Sequence, residues 1–109
     1  MPAVNYRLEG EIAVLSIANP PMNALSLPVR EGLMQGLVRA ATDDAVAAIV
    51  VSGADGIFSS GADINEIASG AALTAPTLRD LQAQMEASRK PLVAEIGRAS
   101  CRERVYVLV

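Results

Sequence analysis

The chain contains no histidine and no tryptophan, and a single cysteine, Cys101. The missing histidines remove Ser-His-Asp triads, imidazole general bases and the commonest metal ligand. One cysteine excludes an internal disulfide. Aromatic residues are scarce, at 3%. No apolar run approaches the roughly 20 residues needed to cross a bilayer. The opening MPAVNYRLEGE lacks a basic stretch followed by an apolar core, so it does not read as a signal peptide, and a cytoplasmic location is expected. The net charge of −3 offers no general attraction for nucleic acid. Any chemistry must come from carboxylates, hydroxyls, amines or backbone groups.

What remains is 109 residues, of which 51% are hydrophobic and 19% charged. That is enough for one small folded domain. Val4–Leu8 and Ile12–Ala18 read as strands joined at Glu9-Gly10-Glu11. Asn19-Pro20-Pro21 breaks the second strand, because proline lacks the ladder donor. Ser26 is a candidate N-cap, with Pro28 in the first turn of a helix that runs to about Ala41. Val29, Leu33, Leu37 and Ala40 share one helical face. Asp43-Asp44 makes a turn before VAAIVVS, Val46–Ser52, the strongest strand signal in the chain. After Gly53-Ala54-Asp55-Gly56, small residues lead into a short helix ending near Gly70. Ala71–Pro76 reads as loop. Thr77 can cap a helix with Leu78, Leu81, Met85 and Ser88 on one stripe, stopped by Pro91. Leu92-Val93-Ala94 begins another strand. Strands alternating with helices predict an α/β fold.

The end of the chain differs in character. EIGRASCRERVYVLV places Arg98, Arg102 and Arg104 within seven residues, without helical or strand periodicity. It reads either as a polar turn before an edge strand, VYVLV, or as a foreign tail. EIGRASCRERV resembles the translation of a common short-read sequencing adapter, whose opening in one frame gives Glu-Ile-Gly-Arg-Ala. Residues 95–109 are therefore expected to be read-through, and residues 1–94 the native portion. Those 94 residues carry six basic and ten acidic side chains.

Three segments carry candidate chemistry: NPPMNALS (Asn19–Ser26), AIVVSGADGIFSSGADINEI (Ala48–Ile67) and RKPLVA (Arg89–Ala94). In FSSGADI, Gly61 and Ala62 have almost no side chain, so a ligand can approach their backbone. A helix starts there, and its first N–H groups lack intrahelical partners and sit at the positive end of the dipole. Such groups suit an acyl oxygen that gains negative charge during reaction. Alone, Gly61-Ala62-Asp63 reads as a tight turn before an Asp-capped helix. NPPMNALS likewise reads as a rigid turn with local hydrogen bonds from Asn23 and Ser26.

In this order and spacing, the three segments closely resemble the crotonase (enoyl-CoA hydratase/isomerase) family, and the likeness covers essentially all of residues 1–94. NPP-x-NA looks most like the hydratase half of bifunctional enoyl-CoA hydratase/3-hydroxyacyl-CoA dehydrogenases. The resemblance implies a crotonase-like ββα superhelix, truncated after its first units, and an acyl-CoA thioester as substrate. It assigns the backbone N–H of Ala62 as the first oxyanion-hole donor. It also implies a pocket for substrate and CoA formed by Met22, Ala24, Ser60, Gly61, Ala62, Asp63 and Ile64. Asp63 is expected to cap its helix and shape the pocket. The second donor, in a Gly-rich segment, and the family's two catalytic glutamates fall beyond Ala94, and so outside this chain. Glu66 is expected to be a solvated helix residue; Arg30, Arg89 and Lys90 are candidates for CoA phosphates. No metal and no further cofactor is expected, NAD entering only if a dehydrogenase domain followed. The full-length parent is expected to be oligomeric.

The parent activity implied is hydration of 2-trans-enoyl-CoA in fatty-acid β-oxidation, with the fragment itself inactive. Within the family the alternative is a Δ3,Δ2-enoyl-CoA isomerase; outside catalysis it is a non-catalytic acyl-CoA-binding member. A nucleotide-binding domain is disfavoured because neither G-x-G-x-x-G nor G-K-[ST] occurs.

Overall fold

The computed structural model describes residues 3–20, 23–53, 59, 63–96 and 105–108. Strands β1 (Val4–Glu9) and β2 (Ile12–Ile17) form an antiparallel hairpin with Glu9 opposite Ile12. Its two-residue turn uses Gly10 at φ +62°, a backbone region that glycine enters without a Cβ penalty. Helix α1 (Leu27–Thr42) follows, then β3 (Ala48–Gly53), which pairs parallel to β2. Helix α2 (Ile64–Ser69), a 3-10 turn (Ala71–Leu73) and helix α3 (Leu78–Glu86) lead to β4 (Leu92–Ile96), parallel to β3. Strand β5 (Val105–Leu108) closes a five-stranded sheet of order β1-β2-β3-β4-β5.

Alternation along the strands sends Ala13, Leu15 and Ile17 of β2, Ile49 and Val51 of β3 and Leu92 of β4 into one core. The predicted stripe of α1 meets them: Val29, Leu33, Leu37 and Ala40 are all buried. Gly36 makes this contact possible, since a Cβ there would overlap the Leu15 side chain. From α3, Leu81 is buried, and Leu78 and Met85 pack on the core edge.

Boundaries shift for local reasons. Val46 lies before β3 because its N–H still closes the turn onto the Asp43 carbonyl at 3.0 Å; it is nonetheless buried. Helix α3 stops at Glu86, not at Pro91, and Ser88 falls outside it. The residue before a proline resists helical ψ. Moreover, residues 87–90 must return the chain to the sheet, where the Pro91 carbonyl accepts from Ile49 N–H at 2.9 Å. Thr77 caps α3 as expected. Its Oγ1 accepts from Asp80 N–H at 3.2 Å, and the Asp80 carboxylate accepts from Thr77 N–H at 2.8 Å. Thr77→Ala is expected to destabilise the fold by about 1 kcal/mol, and Thr77→Ser to leave it near wild type. Urea midpoints would show this; equal loss in both variants would mean the methyl group, not the cap, matters.

The segment VYVLV occupies the edge, with β5 antiparallel to β4 and Val93 opposite Leu108. Short apolar β-branched segments pair readily with any open strand edge. The pairing therefore reflects the unpaired side of β4 and is independent of where the tail came from.

Candidate functional site

Because β2 and β3 are parallel neighbours, their carboxyl ends lie side by side. Ile17 leads into NPPMNALS and Gly53 into the segment that reaches Asp63. In open α/β sheets, ligands bind outside the carboxyl ends of the strands. The topology thus brings the first two motifs together at the place where a site is expected.

The first loop is held by its own asparagines. Asn23, buried and at φ +53°, adopts the left-handed conformation that asparagine tolerates better than most residues. Its Oδ1 accepts from Asn19 N–H at 2.8 Å, and its own N–H donates to the Asn19 carbonyl at 2.8 Å. Asn19 Nδ2 donates to the Ala24 carbonyl at 2.9 Å and to Ser26 Oγ at 3.2 Å. Asn23 and Ser26 make the local bonds foreseen, but the organising role of Asn19 was not. Ser26 flanks α1 in extended geometry without capping it through its side chain. The second motif is tied to this loop: the buried Ser59 donates from Oγ to the Asn23 carbonyl at 2.7 Å.

Asp63 caps α2, its Oδ1 accepting from Asn65 N–H at 2.9 Å and Glu66 N–H at 3.4 Å. Gly70, at φ +83°, ends the helix. Ile64 projects outward and is 80% exposed, as Ile67 is at 60%. Of the residues proposed for the pocket, Ala24, Asp63 and Ile64 are described. Met22, Ser60, Gly61 and Ala62 lie outside the described residues.

Two expectations are corrected. Glu66 is not a solvated helix residue, since its side chain is only 15% exposed. Its Oε1 accepts from Arg30 Nη1 at 2.7 Å and its Oε2 from Leu27 N–H at 2.7 Å. The Leu27 amide, followed by the Arg30 hydrogen bond and charge, outweighs burial and holds the Glu66 carboxyl below its usual pKa. Both oxygens being engaged, Glu66 is not placed to act as a base. Nor is Arg30 a surface cation for phosphate. It is 2% exposed, and it also donates to the carbonyls of Leu25 (2.8 Å), Pro76 (2.7 Å), Ala71 (3.2 Å) and Thr74 (3.4 Å). An arginine at helix spacing from apolar neighbours gives no sequence sign of burial, because all of its partners but Leu25 lie 36 to 46 residues away.

Lys90 is likewise engaged. Its Nζ donates to the carbonyls of Ala40 (2.7 Å) and Asp43 (2.6 Å), placing a positive charge at the C-terminus of α1. Arg89 stands exposed beside it. Cavities of about 480 and 330 Å³ lie away from the two loops, one between β1 and α1 and one where α1 nears Lys90. Among the described residues no cluster of acidic, cysteine or histidine side chains could hold a metal, and no helix is long and apolar enough to cross a membrane.

A family profile described as "Enoyl-CoA hydratase/isomerase" matches residues 7–101. The peroxisomal bifunctional enzyme of Danio rerio is 42% identical over 85 residues, covering 78% of this chain and 12% of that protein. The "Probable enoyl-CoA hydratase" of Bacillus subtilis is 36% identical over 105 residues, covering 92% of this chain and 41% of that protein. A glyoxysomal fatty acid beta-oxidation multifunctional protein of Cucumis sativus is 40% identical over 92 residues, covering 78% and 13%. Among solved structures, Pseudomonas aeruginosa DspI superposes with a TM-score of 0.79 at 27% identity, covering 88% of this chain and 41% of that one. An enoyl-CoA hydratase/carnithine racemase from Magnetospirillum magneticum gives 0.74 at 28%, covering 86% and 38%. The chain therefore spans about an eighth of the bifunctional relatives and two-fifths of the shorter ones. The crotonase-like fold expected from the motifs is the fold observed. The relatives' names point to peroxisomes and glyoxysomes as well, so they lend no support to the expected cytoplasmic location.

Proposed function

The chain belongs to the enoyl-CoA hydratase/isomerase family, and from that premise we propose that it is the amino-terminal part of an enoyl-CoA hydratase acting on 2-trans-enoyl-CoA in fatty-acid β-oxidation. The observation that carries the proposal is the junction of the two loops, where Ser59 Oγ binds the Asn23 carbonyl beyond the carboxyl ends of β2 and β3. It ties the residue that precedes Ser60-Gly61-Ala62 in the chain to the first loop. On this reading the Ala62 N–H receives the thioester oxygen as it gains charge, and the Ala24 and Asp63 loops border the acyl-CoA. A carboxylate from the remainder of the domain activates water, and a second N–H from that remainder completes the oxyanion hole. No cofactor is required beyond the acyl-CoA substrate, and NAD enters only with a dehydrogenase domain. The complete protein is proposed to be oligomeric. The name of the Bacillus subtilis relative, a probable enoyl-CoA hydratase, favours hydration over the isomerase alternative and over a non-catalytic acyl-CoA-binding role.

Residues from about Glu95 remain, in this proposal, adapter read-through, although the family match runs to residue 101. Sequencing the source DNA beyond the Ala94 codon is expected to replace EIGRASCRERV with a Gly-rich continuation. The reading frame so completed should hydrate crotonyl-CoA, while the 109-residue chain should not exceed background. Recovery of the same tail from independent DNA would end the adapter proposal. A completed frame that binds crotonyl-CoA without hydrating it would favour the isomerase or binding reading.

A further inference from the structure

Asn19, just past the end of β2, bonds through its N–H, its carbonyl and its side chain at once, and the proposed chemistry gives it no part. Its N–H donates to Asn23 Oδ1 and its carbonyl accepts from Asn23 N–H, both at 2.8 Å. Its Nδ2 reaches further, to the Ala24 carbonyl at 2.9 Å and to Ser26 Oγ at 3.2 Å. The residue types explain why a side chain is needed here. Pro20 and Pro21 follow directly, and proline carries no N–H, so the loop starts without two backbone donors. The amide of Asn19 supplies from its side chain what those two positions cannot.

Three successive carbonyls of this loop are held, each by a different part of the chain. That of Asn23 accepts from Ser59 Oγ at 2.7 Å, that of Ala24 from Asn19 Nδ2, and that of Leu25 from Arg30 Nη1 at 2.8 Å. The Ala24 carbonyl also accepts from Ser26 N–H at 2.9 Å, but that bond lies within the turn and moves with it. Asn19 is therefore what ties Ala24 to the carboxyl end of β2. A half-buried alanine offers a ligand only its backbone and one methyl group, so its contribution depends on where it is held. We propose that Asn19 is a positioning residue for acyl-CoA binding: its side-chain amide fixes Ala24, and with it the wall that the first loop turns to the substrate. The inference rests on the hydratase reading given above, in which Ala24 borders the acyl-CoA. That reading assigns no reacting group to this loop. Loosening it should therefore weaken the binding of substrate and transition state alike.

The test uses the completed protein and two variants. Asn19→Ala removes Nδ2 and keeps the N–H and carbonyl that pair with Asn23. Ser26→Ala removes only the longer of the two bonds that Nδ2 makes, and α1 loses no side-chain cap, since Ser26 supplies none. A wall no longer held in advance must be ordered at binding, and ordering the backbone of one residue weakens a complex about tenfold. Asn19→Ala is accordingly expected to raise KM for crotonyl-CoA about tenfold with kcat little changed, and Ser26→Ala to raise it less in the same way. Butyryl-CoA has no double bond to hydrate, so its dissociation constant reads binding alone; calorimetry should show the same rise in each variant. A role confined to stability would lower the urea midpoint while leaving KM and this constant unchanged in the folded protein; that result overturns the inference. A fall in kcat at constant KM overturns it too, because the loop would then act on the reacting atoms. Should Asn19→Ala fail to fold, Ser26→Ala decides alone. If the unaltered protein neither hydrates crotonyl-CoA nor binds butyryl-CoA, the hydratase reading falls and this inference with it. Wild-type activity with unshifted variants overturns the inference only.

Discussion

Ala62→Pro in the completed protein is expected to lower kcat for crotonyl-CoA hydration about 10²–10³-fold, the usual result of deleting one oxyanion-hole donor. Proline removes the N–H, adds two ring carbons and holds φ near about −65°. The position precedes the Asp63 cap, so no intrahelical hydrogen bond of α2 depends on this amide. Ala62→Gly is the control, because it removes the methyl group and keeps the donor; its kcat should stay close to wild type. The loss should appear in kcat and kcat/KM together, as expected for an interaction made chiefly in the transition state. Full activity in Ala62→Pro would remove Ala62 from the oxyanion hole. An equal loss in Ala62→Gly would assign the effect to the backbone conformation of the loop and not to the N–H.

Sequence reasoning located these elements unevenly, and the division follows from the range of the forces involved. Local signals were read correctly. The α1 stripe of Val29, Leu33, Leu37 and Ala40, the caps at Asp63 and Thr77 and the stop at Gly70 depend on neighbours within a turn or two. The two motif loops were assigned to one site through a family likeness, and the parallel pairing of β2 with β3 supplies the reason they meet. What went unread was non-local. Arg30, Glu66 and Lys90 look like ordinary solvated charges in sequence, because a charge declares itself buried only through partners far along the chain. Asn19 gives no sign for a simpler reason: next to two prolines it reads as part of a turn, and its side chain organises the loop only once Ala24 and Ser26 are placed around it. The end of α3 differs from the expected stop because Pro91 marks where a helix cannot continue, while the return to β4 ends it sooner.

Arg30→Met is expected to destabilise the completed protein by about 3–5 kcal/mol, the usual consequence of removing one partner from a buried ion pair. That is a large fraction of the roughly 5–15 kcal/mol by which domains are stable. Methionine fills much of the space but leaves Glu66 with the Leu27 amide alone, and it strips donors from the carbonyls of Leu25, Ala71, Thr74 and Pro76. The pH dependence has a definite sign. The pKa of Glu66 is lowered on folding, first by the Leu27 N–H and then by Arg30, from an ordinary value of 4.5. Its contribution is therefore complete above that value and is lost as pH falls through the lower folded pKa. In Arg30→Met the loss should begin at higher pH, though only part of the way, since the Leu27 amide remains. The double variant Arg30→Met/Glu66→Leu removes both charges and should recover much of the stability, with no Glu66 step left in the acid limb. Urea midpoints measured from pH 3 to pH 7 check both the loss and its pH dependence. A double variant that stayed as unstable as Arg30→Met would show that the four carbonyls, and not the ion pair, account for the loss.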